Sequence, residues 1–230
     1  MSIKENIADI EEKIAAAAKR AGRDPEEITL LAVTKTVDLP RIREAVDAGL
    51  CELGENRVQE FMSKCDDIER NVNWHIIGTL QKNKIKYIIN KVKLVHSLCT
   101  MSVANEMQRL CEINDCYMDV LVEVNVTGEE SKSGVPIARA RSFVKELEPL
   151  SRVRVKGLMT IARYSTDPED SRPCFRELYR LFSDFKGLKR DNFEMKYLSM
   201  GMSGDYEVAV EEGATMLRVG SAIFGERNYN

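Results

Sequence analysis

Eight short apolar runs alternate along this chain with seven helical patterns, and that rhythm limits the available folds more than any other feature. The β-like runs fall near 29–34, 50–53, 73–77, 93–97, 118–126, 153–160, 194–198 and 215–219. The helical patterns fall near 39–48, 56–69, 81–89, 101–114, 136–147, 171–187 and 204–212. Val120-Leu121-Val122-Glu123-Val124 and Val153-Arg154-Val155-Lys156-Gly157-Leu158-Met159 carry the alternation or β-branched enrichment of strands. Most connections are long enough for right-handed crossovers between parallel strands. Before the first strand, Ile3, Ile7, Ile10 and Ile14 recur at helical spacing within an amphipathic helix over 2–21, which Gly22 ends.

The expectation is an α/β fold, a single (β/α)8 TIM barrel with an additional N-terminal helix, spanning 1–230 as one domain. An open doubly wound sheet is the competitor. It is disfavoured because Thr34-Lys35-Thr36 follows the first strand where a glycine fingerprint belongs, and no later strand introduces a dinucleotide loop. The longest polar excursion runs from Thr127 through Glu130 and Ser131 to Gly134.

With 34 basic and 37 acidic residues, the chain has a net charge of −3 and no long block of either sign. That balance argues against nucleic-acid and membrane-surface partners. The N-terminus runs straight into a charged amphipathic helix, so a cytoplasmic protein is expected. Cys51, Cys65, Cys99, Cys111, Cys116 and Cys174 lack the paired short spacings of a zinc or disulfide framework and read as free thiols. With only His75 and His96 present, no metal site is expected.

Lys35 is the candidate of greatest chemical interest, because an apolar strand delivers its amine to the strand exit, where it could form an imine with an aldehyde. Closure of a barrel sets the last strand beside the first, so Lys35 neighbours Arg218-Val219-Gly220-Ser221. The turn Ser199-Met200-Gly201-Met202-Ser203-Gly204-Asp205 leaves the strand between them. Together with Gly220 and Ser221 it offers small residues, hydroxyls and backbone N–H groups where such barrels hold phosphate. Ser203-Gly204-Asp205 could instead cap a helix, and Gly220 could serve a tight turn. A compact, planar phosphorylated aldehyde anchored at both ends suits this arrangement, and pyridoxal 5'-phosphate is such a molecule. Arg218 would then sit beside the pyridine nitrogen, which a guanidinium can only donate to. Asn56 either contacts the cofactor ring or caps a helix after Gly54, and His75 is either a hydrogen-bonded barrel residue or an organiser of the site.

Taken in order, six segments resemble the pyridoxal 5'-phosphate homeostasis protein family, which is alanine racemase N-terminal-domain-like. They are Ala32-Val33-Thr34-Lys35, Gly54-Glu55-Asn56, His75-Ile76-Ile77-Gly78-Thr79-Leu80-Gln81, Gly157-Leu158-Met159-Thr160, Ser199-Met200-Gly201-Met202-Ser203 and Arg218-Val219-Gly220-Ser221-Ala222-Ile223-Phe224-Gly225. The resemblance implies a Schiff base at Lys35, a pyridine-nitrogen contact from Arg218, and phosphate binding by Ser199, Met200, Gly220 and Ser221, with Asn56 as a further pocket contact. It implies pyridoxal 5'-phosphate as cofactor and a role in intracellular vitamin B6 and amino-acid homeostasis. Free amino acids and acceptor apoenzymes are the implied exchange partners, and monomer and weak dimer stay open. The resemblance favours a binding protein over an enzyme, because racemisation also needs a second acid/base group that alanine racemase takes from a tyrosine in a further domain. The alternative is a low-activity pyridoxal-phosphate-dependent amino-acid racemase, with the second group drawn from Tyr87, Tyr117, Tyr164, Tyr179, Tyr197, Tyr206 or Tyr229.

Overall fold

The computed structural model describes residues 2–68, 71–129, 132–188 and 191–225. Glu69, Glu130, Ser131 and Tyr229, which belong to the expectations above, lie outside the described residues. The strands are β1 (Thr29–Val33), β2 (Glu52–Glu55), β3 (Asn73–Ile76), β4 (Leu94–Leu98), β5 (Met118–Asn125), β6 (Val135–Pro136), β7 (Val153–Met159), β8 (Phe193–Ser199) and β9 (Met216–Val219). The helices are α1 (Ile3–Arg20), α2 (Leu39–Asp47), α3 (Val58–Met62), α4 (Met101–Ile113), α5 (Ala140–Glu146), α6 (Arg172–Phe185), α7 (Tyr206–Glu211) and α8 (Ser221–Phe224).

All pairings are parallel, in the order β4-β3-β2-β1-β9-β8-β7-β5, and β4 also pairs with β5, so the sheet closes on itself as an eight-stranded barrel. The expected barrel is therefore present, and each of its eight strands matches one β-like run of the sequence. Its seam joins the first strand to the last, with Leu31 opposite Arg218 and Ala32 opposite Val219. The two-residue β6 is an addition, paired to the end of β5.

Alternation along the strands divides the apolar residues into two populations. Ala32, Leu53, Val120, Leu217 and Val219 face outward into the large core beneath the helices. Leu31, Val33, Ile77, Leu94, Leu121, Met159 and Met216 form a smaller cluster inside the barrel. The interior register also carries His75, His96, Ser199 and Arg218, all buried.

The N-terminal helix starts in a capping box, in which the Ser2 hydroxyl accepts from Glu5 N–H and the Glu5 carboxylate accepts from Ser2 N–H. Its apolar stripe of Ile3, Ile7, Ile10 and Ile14 is buried as the spacing predicts. The helix packs against α2, α7 and α8, with Asn6 Nδ2 donating to Ile223 O at 2.9 Å, and so braces the seam from outside.

Two expected helices are altered. The segment 81–89 forms 3₁₀ turns over Lys82–Tyr87, because its buried residues Ile85 and Ile88 are three apart and a three-residue repeat keeps both facing the core. The helix expected over 56–69 stops at Met62, and the turn beyond it draws the Lys64 amine inward to donate to Thr34 O and Glu55 Oε1 beneath β1 and β2.

Candidate functional site

Lys35 stands one residue beyond the sheet-bonded part of β1, and its backbone is held on both sides. Thr34 O accepts from the buried Lys64 amine at 2.8 Å, and Thr36 N–H donates to Glu60 Oε2 at 2.8 Å. Glu55 Oε1 accepts from Lys64 Nζ at 2.8 Å and from the Thr34 hydroxyl at 2.7 Å. Burial pushes the Glu55 carboxyl up from its ordinary pKa, against the pull of Lys64. Thr36 adopts φ 61°, a left-handed conformation costly for a β-branched residue, so the turn that presents Lys35 is strained and fixed by its neighbours. Among the described residues, the Lys35 amine itself has no hydrogen-bond or ion-pair partner. It faces a cavity of about 770 Å³ at the C-terminal mouth of the barrel.

The same cavity is lined by Asn56, Arg218, Gly220 and Ser221, so five of the seven sequence-predicted residues converge there. Asn56 is set by a close backbone contact with Gly78, where an added Cβ would lie 2.4 Å from Asn56 O. Arg218 is almost fully enclosed, donating through Nη1 to Ser199 Oγ at 2.6 Å and through Nη2 to Thr160 O at 2.8 Å. Burial lowers its pKa to about 10, and the charges of Asp205 and Glu123 resist the fall. The guanidinium therefore stays cationic at neutral pH.

Ser199 and Met200 do not reach the cavity wall. Both are fully buried; the Ser199 hydroxyl is committed to Arg218 and His96, and Met200 N–H to Met216 O at 3.2 Å. Ser203, half-buried, takes the place on the cavity wall one turn further on. Its hydroxyl accepts from the N–H groups of Gly220 and Ala222, both at 3.2 Å, which joins the β8 and β9 exits into one rim. Asp205 fixes that loop by accepting from Met202 N–H at 2.6 Å and from the Ser171 hydroxyl at 2.8 Å.

A match to the family model described as alanine racemase, N-terminal domain, covers residues 6–228. A "Pyridoxal phosphate homeostasis protein" of Aquifex aeolicus (strain VF5) is 44% identical over 230 residues, which is 100% of both chains. The chain belongs to the pyridoxal phosphate homeostasis protein family. PipY of Synechococcus elongatus PCC7942, solved with PLP bound, is 29% identical at a TM-score of 0.83, covering 97% of this chain and 100% of that one. An alanine racemase of Clostridium difficile 630 shares the fold at a TM-score of 0.74 and 14% identity, covering 100% of this chain and 58% of the racemase.

This member of the homeostasis family places further groups at the mouth that sequence reasoning had not singled out. Glu123 on β5 is buried yet lines the cavity, and burial raises its carboxyl pKa against the opposing charge of Arg218. Its signal was available as a carboxylate at an inward register position of an apolar strand. Lys132 and Tyr164 also border the cavity, the latter 87% exposed. The cysteines form no disulfide, and no cluster of metal-ligating residues occurs among the described residues. No described helix is long and apolar enough to cross a membrane.

Below the cavity, His75 and His96 are wholly buried and hydrogen-bonded to each other at 2.9 Å. Burial lowers both pKa values from 6.5, that of His96 well below, while Glu52 pulls His75 the other way. Because the folded values are depressed, this contribution to stability is complete above pH 6.5 and is lost as pH falls from there towards the folded values. Over one pH unit below that point, the loss approaches about 1.4 kcal/mol per histidine while its folded ring stays neutral. Burial acts oppositely on Glu55 and Glu123, so the cleaner measurement is on Glu123→Gln. The urea midpoint should fall between pH 7.5 and 5.5, and a level profile in that variant would contradict the assignment.

Proposed function

We propose that this chain is a pyridoxal 5'-phosphate-binding protein of intracellular vitamin B6 and amino-acid homeostasis, in which Lys35 holds the cofactor as a reversible Schiff base. The observation that carries the reading is the unpartnered Lys35 amine, on a strained and braced turn, facing a cavity whose neighbouring rim is built from Ser203, Gly220 and Ser221. The relatives' name and the PLP-bound PipY structure support the same ligand.

The donor set fits the cofactor's chemistry. The Ser203 and Ser221 hydroxyls and the Ser221 N–H would supply donors for a phosphate lying over Gly220, with Asn56 also on the cavity wall. Ser199 and Met200 lie behind the cavity wall, Ser199 bonded to Arg218 and Met200 to Met216. When bound, the cofactor supplies an aldehyde that exchanges amines reversibly and a ring that withdraws electrons. Arg218 would donate to the ring nitrogen and has no proton to lose at neutral pH, so that nitrogen would stay unprotonated and its electron withdrawal weak. This restraint suits holding and exchanging the cofactor better than turnover, with free amino acids and acceptor apoenzymes as exchange partners.

Reduction of the loaded protein with borohydride, followed by peptide mass analysis, should place the cofactor on Lys35. An adduct confined to another lysine would overturn the assignment.

Tyr164 at the cavity mouth favours the second reading, a low-activity amino-acid racemase, because it is a tyrosine within the cavity lining. At 87% exposure it lacks the fixed placement that proton transfer to one face of a carbon requires. Incubating the loaded protein with enantiopure amino acids in deuterated water separates the two readings. Binding and exchange alone predict no deuterium at the α-carbon; inversion of configuration with deuterium incorporation, lost in Tyr164→Phe, would establish the racemase.

A further inference from the structure

A continuous line of hydrogen bonds crosses the barrel interior from Arg218 at the cavity floor to the opposite rim. Arg218 Nη1 donates to Ser199 Oγ at 2.6 Å, and Ser199 Oγ lies 3.0 Å from His96 Nδ1. His96 Nε2 lies 2.9 Å from His75 Nδ1, with the rings crossing edge to face, and His75 Nε2 lies 2.6 Å from Glu52 Oε2. Glu52 Oε1 closes the line by accepting from Lys93 Nζ at 2.6 Å and Asn73 Nδ2 at 2.9 Å. The line touches β9, β8, β4, β3 and β2, so it ties opposite sides of the barrel together.

The two ends determine every proton between them. An ionised carboxylate only accepts, so His75 must donate from Nε2 to Glu52. Burial keeps both rings neutral, hence His75 Nδ1 accepts and His96 must donate to it from Nε2. His96 Nδ1 then accepts the Ser199 hydroxyl proton, which leaves a Ser199 lone pair for the guanidinium, itself a donor only. All four bonds therefore point from Arg218 towards Glu52, and bonds aligned in this way polarise and strengthen one another in a dry interior. A reversed chain would leave the Ser199 hydroxyl proton without its acceptor.

We propose that His96, His75 and Glu52 are positioning residues for Arg218, acting through Ser199, and that they fix how its guanidinium meets the ring of the bound cofactor. The part concerning the cofactor rests on the pyridoxal 5'-phosphate reading; the proton arrangement does not. The line explains why two histidines, a serine and an arginine occupy interior positions that apolar side chains could fill. It also couples the floor of the site to Glu52 and Lys93 at the far rim, whose side chains retain solvent contact.

The chain has two histidines, so ¹⁵N-histidine labelling of the full-length protein gives a spectrum of four ring nitrogens. Both rings should be neutral with the proton on Nε2; a charged ring, or one protonated on Nδ1, at neutral pH would overturn the proposal. Glu52→Gln, whose amide donates as well as accepts, should let His75 populate both tautomers. In pyridoxal 5'-phosphate-loaded protein, His96→Leu should release cofactor about tenfold faster, from loss of a buried bond in the charged line, with Glu52→Gln moving in the same direction. Both variants should shift the visible absorption band of the bound cofactor while leaving the adduct on Lys35. If the adduct forms on Lys35 and neither release nor spectrum changes in Glu52→Gln, the positioning role is refuted and the binding role stands. If wild-type protein gives no adduct on Lys35, the binding role fails, and the tautomers alone decide the line.

Discussion

Lys35→Ala is expected to abolish the borohydride-stable link between this protein and pyridoxal 5'-phosphate while leaving weaker, dissociable binding. The amine is the only part of the site the substitution removes. Arg218 keeps its bonds to Ser199 and Thr160, and Ser203 keeps its hold on the N–H groups of Gly220 and Ala222. The turn should also survive, because its restraints act on backbone atoms of Thr34 and Thr36. Intact mass after reduction reads the covalent link, and equilibrium dialysis reads what remains. Lys132 borders the same cavity and makes the measurement discriminating. If an equal yield of adduct appears at Lys132 or elsewhere in Lys35→Ala, the amine at the β1 exit is not the specific attachment point.

Gly157→Ala is expected to cost about 4 kcal/mol or more, from a forbidden backbone conformation and an overlap that repacking cannot relieve. Gly157 lies in β7 at φ 151°, and an added Cβ would sit 1.8 Å from the carbonyl oxygen of Tyr197 in β8. The pairings of β7 with β5 and with β8 both shift register beside this residue, so the strand bends there to keep the barrel closed. The obstacle is backbone and has no rotamer through which to retreat. Gly187→Ala, where the added carbon meets nothing within 4 Å and φ is not positive, should remain within about 0.5 kcal/mol of wild type. Urea unfolding of the two variants provides the comparison, and similar midpoints would contradict the structure at β7.

The barrel was legible because each strand buries an outward row under helices, and such rows stand out against polar connections even in a single sequence. Lys35, Arg218, Gly220 and Ser221 were legible for a topological reason: closing the barrel brings the first and last strand exits together whatever the side chains between. Ser199 was harder to place. It sits one residue beyond the outward-facing Leu198, so it points under the site rather than into it, and the half-turn between strand and rim cannot be phased from a glycine-rich segment alone. His75 and His96 read locally as isolated polar residues among apolar neighbours. Their meaning depends on a contact between strands 21 positions apart and on Ser199, 103 positions beyond His96. The brace beneath Lys35 was hidden likewise, since Lys64 reaches Thr34 from a turn that periodicity assigns to a helix. The short β6 offers only Val135 and Pro136, too little for any pattern.

The seam between β1 and β9 also sets an order of events during synthesis. Lys35 leaves the ribosome early, whereas Arg218, Gly220 and Ser221 are among the last described residues to be made. A nascent chain carries the amine without the rim, so the cavity that Lys35 faces takes shape only when β9 docks against β1.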